Sequence, residues 1–186
     1  MRHLILRAIA AALISVAPAA AAPTPALVET PGGALLHSGT GLALPSTLGP
    51  LKRQESSPES PRIFIYVDGR EADPLGHYVT VAIDRVTSGP TLAQMRERGR
   101  AAMARDGKVV VVTEGAFLWP GQPKARSFRG RYRDAGMFKE VWSAVAGRTG
   151  ILVLVTARES DAGEIDRLSE AVGREIFGGA ATEPTP

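Results

Sequence analysis

The side chains best suited to chemistry in this chain are arginines set at strand spacing. In KARSFRGRYR (124–133), a two-residue period sends Arg129, Arg131 and Arg133 to one face and Phe128 and Tyr132 to the other. Three guanidiniums in a row repel one another unless an anion or water screens them, and each offers a planar fork of donors suited to carboxylate or phosphate. With Lys124 and Arg126 they predict an anion-binding surface or a docking face for a protein partner with an acidic patch. The plain alternative is a solvated sheet face neutralised by acids on an adjoining strand. Just upstream, GAFLWPGQP reads as a loop. Its Phe117 and Trp119 are either exposed anchors for that partner or a cover over the edge of the core. Arginines beside aromatics also suit nucleic acid, but an exported chain does not meet it.

The loop DGREADPLGH (68–77) holds Asp68, Glu71, Asp73 and His77, oxygen and imidazole ligands of the kind a divalent ion takes. The order of acids in a calcium loop is missing, and Asp73-Pro74 starts a turn, so the segment reads as a polar connection and no metal or other cofactor is expected. Catalysis has little to build on. Past the N-terminal segment the histidines are His37 and His77, and there is neither a G-x-S-x-G elbow nor a cysteine. Ser38 follows His37 directly, and neighbours on a strand point to opposite faces, so the two are not a ready nucleophile and base. Asp84 or Glu114 next to a histidine would not by itself give a site its convergent roles. The expected class is a non-catalytic binding or accessory protein, with an envelope immunity or adaptor protein as one alternative. The competing class is a small envelope hydrolase using His37 or His77.

The elements that must position these residues follow from periodicity. Residues 34–37 and 41–44 flank Ser38-Gly39-Thr40 and read as a hairpin. RIFIYVD (62–68) and YVTVAIDRV (78–86) alternate as strands, and KVVVVTE (108–114) is a β-branched run of the kind usually buried on both faces. Residues 125–134 alternate again. MFKEVWSAV (137–145) and GILVLVTA (150–157) are joined through 147–150, a hairpin signal. One helix runs from Leu92 to about Arg105, opened by a capping box of Thr91 and Gln94 and stopped at Asp106-Gly107. Its apolar stripe is Leu92, Met95, Gly99, Ala102 and Met103. A second helix begins at Asp161 and ends before Gly178, with Ile165, Leu168, Val172 and Ile176 on one face. Burying four such side chains contributes about 6–12 kcal/mol gross, at 1.5–3 each. Short connections favour antiparallel pairing, so the fold class is α+β with helices packed on the sheet.

The start of the chain, MRHLILRAIAAALISVAPAAAAPTP, has the charge, short apolar run and small-residue site of a cleavable signal peptide over 1–22. Without cysteine there is no lipid attachment and no disulfide, so a periplasmic or secreted protein held by its core is expected. Residues 23–33 read as a flexible lead-in, 34–178 as a single domain and 179–186 as a disordered tail. The formal charge of +3 points to no particular partner, because Arg2 and Arg7 leave with the signal peptide while every acid remains.

The order of these elements adds a resemblance. A paired start ends in GLALPSTL (41–48), strand pairs lead to the helix TLAQMRERGRAAMARDG (91–107), and the hairpin EVWSAVAGRTGILVLVTA (140–157) precedes a terminal helix DRLSEAVGREIFG (166–178). Over about 34–178 this resembles the PsbP-like fold, named for an extrinsic photosystem II subunit and shared by small bacterial envelope proteins and a eukaryotic Ran-binding factor. The resemblance implies a largely antiparallel sheet packed by two main helices, an α/β/α sandwich, and a protein that acts by binding partners rather than by catalysis.

Overall fold

A computed structural model describes residues 27–54, 62–68, 76–103 and 109–179. The expected signal peptide, the expected helix stop at Asp106-Gly107 and residues 180–186 of the expected tail lie outside the described residues.

Three short strands, β1 (Leu27–Glu29), β2 (Leu35–His37) and β3 (Leu42–Leu44), form a small antiparallel sheet. Here β1 occupies part of the stretch expected to lead flexibly into the domain, and β2–β3 is the expected hairpin. The main sheet has eight strands: β4 (Thr47–Leu48), β5 (Leu51–Arg53), β6 (Ile63–Val67), β7 (Tyr78–Arg85), β8 (Val110–Gly115), β9 (Arg126–Asp134), β10 (Met137–Ala146) and β11 (Thr149–Arg158). Their spatial order is β4-β5-β6-β7-β11-β10-β9-β8, and each neighbouring pair is antiparallel. Two helices, α1 (Leu92–Met103) and α2 (Ala162–Ala171), complete the α+β architecture. A 3₁₀ turn at Glu159–Asp161 leads into α2, and a π turn at Val172–Ile176 continues it.

The turns follow from local chemistry. β10 and β11 pair Ala146 with Thr149 across Gly147-Arg148, and Gly147 takes φ +59°. β9 and β10 are joined by Ala135 and Gly136 at φ 48° and 77°, the two positive values that a two-residue turn matching strand twist requires. The chain runs from β7 through α1 to the far edge of the sheet, and β8, β9, β10 and β11 then fold back one beside the next until β11 meets β7.

Strand alternation divides the core between two faces. Against one, Met95 and Met103 of α1 pack on Phe128, Tyr132, Val141, Val145 and Leu154. Gly99 lets the helix sit close, since a Cβ there would come within 3.2 Å of Phe128. The capping box forms, with the Thr91 amide donating to Gln94 Oε1 at 2.8 Å and the Gln94 amide to Thr91 Oγ1 at 3.2 Å. Leu92, expected in the stripe, stays exposed in the first turn. On the other face Ile165, Leu168, Val172 and Ile176 are all buried, against Trp142, Val153, Val155 and the small sheet's Leu42 and Leu44. Arg53 ties that sheet down by donating to the carbonyls of Gly33 at 2.8 Å, Pro45 at 3.1 Å and Leu44.

One strand departs from expectation. KVVVVTE was the run expected to be buried on both faces, yet β8 is an edge strand with Val110, Val111, Val112 and Thr113 exposed. A β-branched run specifies extended backbone. Its place in the sheet depends on where the crossover through α1 delivers it.

Candidate functional site

The alternation of β9 holds: Phe128 and Tyr132 enter the core under α1, and the three arginines share the opposite face. That face is covered by α2, and acids meet each arginine there. Arg129 donates through Nε to Glu140 Oε1 at 2.9 Å and through its terminal nitrogen to Ser169 Oγ at 2.8 Å. Its guanidinium also lies 4.5 Å from the centroid of the Trp142 ring, within cation–π range. Arg131 donates through Nε to the other Glu140 oxygen at 2.7 Å and to Asp166 Oδ1 at 2.6 Å. Arg133, nearer the sheet edge, reaches Glu159 at 3.1 Å. Glu140 has no exposed surface. It also accepts the Trp142 indole N–H at 2.6 Å and the Ser169 hydroxyl. Burial works against the Arg131 charge, but Glu140 and Asp166 outweigh it and hold the guanidinium pKa above its ordinary value.

The open stripe of guanidiniums expected from the sequence is therefore corrected for Arg129 and Arg131. Each is only 17% exposed and is held by internal partners. Glu140 sits across β10 from Arg131, and α2 brings Ser169 and Asp166 over the top. Neighbouring strand and helix thus supply the screening that an external anion would otherwise provide.

The aromatic half of the expected surface is corrected too. Phe117 and Trp119 are buried, with Phe117 edge-on to both Trp142 and Phe177 at 4.9 Å and Trp119 edge-on to Phe177 at 5.4 Å. They close the core beside Trp142, which stacks on Phe177 at 5.6 Å. The residue between them, Leu118, is 70% exposed. Alternation within Phe117-Leu118-Trp119 was the signal that could have found it, because both aromatics on one side require their neighbour on the other. Lys124 on the same connection and Arg126 at the start of β9 remain on the surface, with the Arg126 guanidinium against Gly89.

A second charged cluster lies on the α1 side of the sheet. Glu114 accepts from Arg96 at 2.6 and 3.1 Å, from Arg100 at 2.7 Å through each of two nitrogens, and from the Tyr132 hydroxyl at 3.0 Å. Burial pushes this carboxyl up, but those donors outweigh it and hold its pKa below the ordinary 4.5. Its contribution to stability is thus complete above 4.5 and is lost as the pH falls through the lower folded value. Glu114→Gln is expected to melt below the native protein near neutral pH, with the two melting temperatures converging in acid. A gap that stays constant throughout an acid series of thermal melts would refute this role.

The metal candidates separate. Asp68 is exposed and stands outside the ligand group described next, and Glu71 and Asp73 lie outside the described residues. His77 is drawn instead to the start of α2, with Nε2 3.8 Å from Asp161 and Nδ1 4.0 Å from Glu164. The three ligand atoms lie within 4.8 Å of one another, an arrangement able to hold a divalent ion. Arg167 meets the second Glu164 oxygen at 2.9 Å, so Glu164 already has a cationic partner in the chain. His37 is buried, its Nδ1 2.9 Å from Thr40 Oγ1, which also accepts the Leu42 amide at 3.3 Å. Burial, helped by Arg62, lowers the His37 pKa. This contact closes the β2–β3 hairpin, and Ser38 lies in its turn.

The chain matches no protein-family model and no curated protein sequence. Its structure is similar to the solution structure of cyanobacterial PsbP (CyanoP) from Synechocystis sp. PCC 6803, with a TM-score of 0.50 and 13% identity over 86% of this chain and 96% of that one. With its antiparallel sheet and two helices, the chain has a PsbP-like fold.

Proposed function

We propose that this chain is an exported, non-catalytic accessory protein that works by engaging a protein partner. One observation carries the reading. On β9, Arg129, Arg131, Tyr132 and Asp134 are engaged by internal partners, whereas the exposed large apolar side chains gather elsewhere. Of the seven among the described residues, four (Val110, Val111, Val112 and Leu118) lie on β8 and the connection after it. Exposed apolar side chains bordered by charged ones are a feature of docking faces. Lys124 on that connection and Arg126 at the start of β9, with the half-exposed Arg133, favour a partner carrying an acidic patch. The likeness to PsbP supports this class through fold alone. Export is inferred from the signal-like N-terminus, and an envelope adaptor or immunity protein is one form of the reading.

The test is a pull-down from the native envelope fraction with wild-type bait beside Leu118→Asp and Arg126→Glu. The expected result is a partner held by the wild type, weakened by salt and reduced at least tenfold by Leu118→Asp. A well-folded bait that retains nothing even at low salt would count against a binding function.

A further inference from the structure

On the binding function proposed above we propose a specific mode: the outer edge of β8 receives an extended segment of the partner as a ninth strand of the sheet. β8 ends the strand order and pairs with β9 alone, so the main-chain groups on its other side meet no strand among the described residues. Exposed edges are usually blunted by lysine, proline, brevity or a bulge. The opposite edge, β4, is two residues long and has Leu48 buried. In β8, by contrast, Val110 is 52%, Val111 44% and Val112 47% exposed, and no charge or proline interrupts 109–113. A register shift at Val112 is its one blunting device. Strand addition takes affinity from main-chain hydrogen bonds and selectivity from alternate side chains.

Charge decides what fits there. On the α1 side, Arg96, Arg98 and Arg100 stand against two acids, Glu97 of α1 and the Glu114 carboxylate that Arg96 and Arg100 share, which leaves the balance positive by one. On the α2 side, Arg133 stands directly across from Val110 and remains 49% exposed although it pairs with Glu159. The segment that fits is β-branched and apolar along Val110–Val112 and carries acidic side chains at its ends. A second copy of this chain fits poorly. Two-fold antiparallel pairing of β8 with itself keeps both α1 helices on one face and brings the Arg96 and Arg100 rims together.

The probe is a capped peptide of alternating valine and threonine with two glutamates at each end, added to the full chain. Binding is followed by fluorescence anisotropy and by exchange of the Val110–Gly115 amides. The expected result is slowed exchange along β8 and affinity at least tenfold weaker for Val111→Lys, for Val112→Lys and for a probe with lysines replacing its glutamates. Both variants are exposed changes expected to keep the native melting temperature. Equal binding by these variants, no protection along β8, or a wild-type dimer that Val111→Lys dissolves would each overturn the proposal. In the pull-down, a partner lost from Leu118→Asp but retained by Val111→Lys would reject strand addition while leaving the binding function intact. No partner on any bait would reject the function itself.

Discussion

Glu140→Ala is expected to lower stability by about 3–5 kcal/mol, the cost of stripping one partner from a buried ion cluster. The carboxylate has no exposed surface and accepts from Arg129, Arg131, Trp142 and Ser169. Its removal leaves two poorly hydrated guanidiniums facing each other beneath α2, with only Ser169 and Asp166 still in reach. It also orphans a buried indole N–H. Glu140→Gln retains acceptor geometry without the charge and is expected to fall between native and alanine forms. Urea midpoints at constant m-value measure both. A loss below about 1 kcal/mol for alanine would mean that water replaces the carboxylate and that the cluster does not hold α2 to the sheet. Replacing Glu140, Arg129 and Arg131 together with apolar residues is expected to recover much of the loss, since such clusters serve specificity more than net stability.

Trp142→Ala is the second large effect, also about 3–5 kcal/mol, for the cavity left by a large aromatic side chain. The ring is 1% exposed, stacks on Phe177, meets Phe117 edge-on and underlies Arg129. Its loss empties the joint where sheet, C-terminal turn and the 116–119 connection meet. Trp142→Phe keeps most of the apolar volume and is expected to cost less, while leaving Glu140 one donor short. Because Trp142 and Glu140 share a hydrogen bond, their effects should be non-additive in a double-mutant cycle. Additivity would show that the indole acts through packing alone.

Most elements were legible in the residues because periodicity is local. The two-residue period of 125–134 sorted Arg129, Arg131 and Arg133 from Phe128 and Tyr132, and β9 has that sorting. The 3.6-residue stripe of Ile165, Leu168, Val172 and Ile176 gave α2 its buried face and ran on into the π turn. The short strands β1, β4 and β5 are not legible because two or three residues carry no measurable period; β2 and β3, equally short, are legible only through the Ser38-Gly39-Thr40 turn between them. Their hold comes from distant partners, among them the reach of Arg53 back to Gly33.

The candidate site divides along the same line. Residue types alone determined that Arg129, Arg131 and Arg133 form one basic face, that 116–119 carries large apolar side chains, and that no ready-made catalytic motif stands in the sequence. Tertiary structure alone decided what covers each. Whether an arginine row faces water depends on what folds against it: β10 sets Glu140 beside it, and α2 with the turn before it, some thirty residues downstream, brings Asp166, Ser169 and Glu159. Whether a valine run lies inside a sheet or at its edge depends on where the crossover delivers it, and α1 carries β8 to the margin. Backbone periodicity acts over one or two turns or strand repeats, whereas burial is set by surfaces that meet only after the chain has closed on itself.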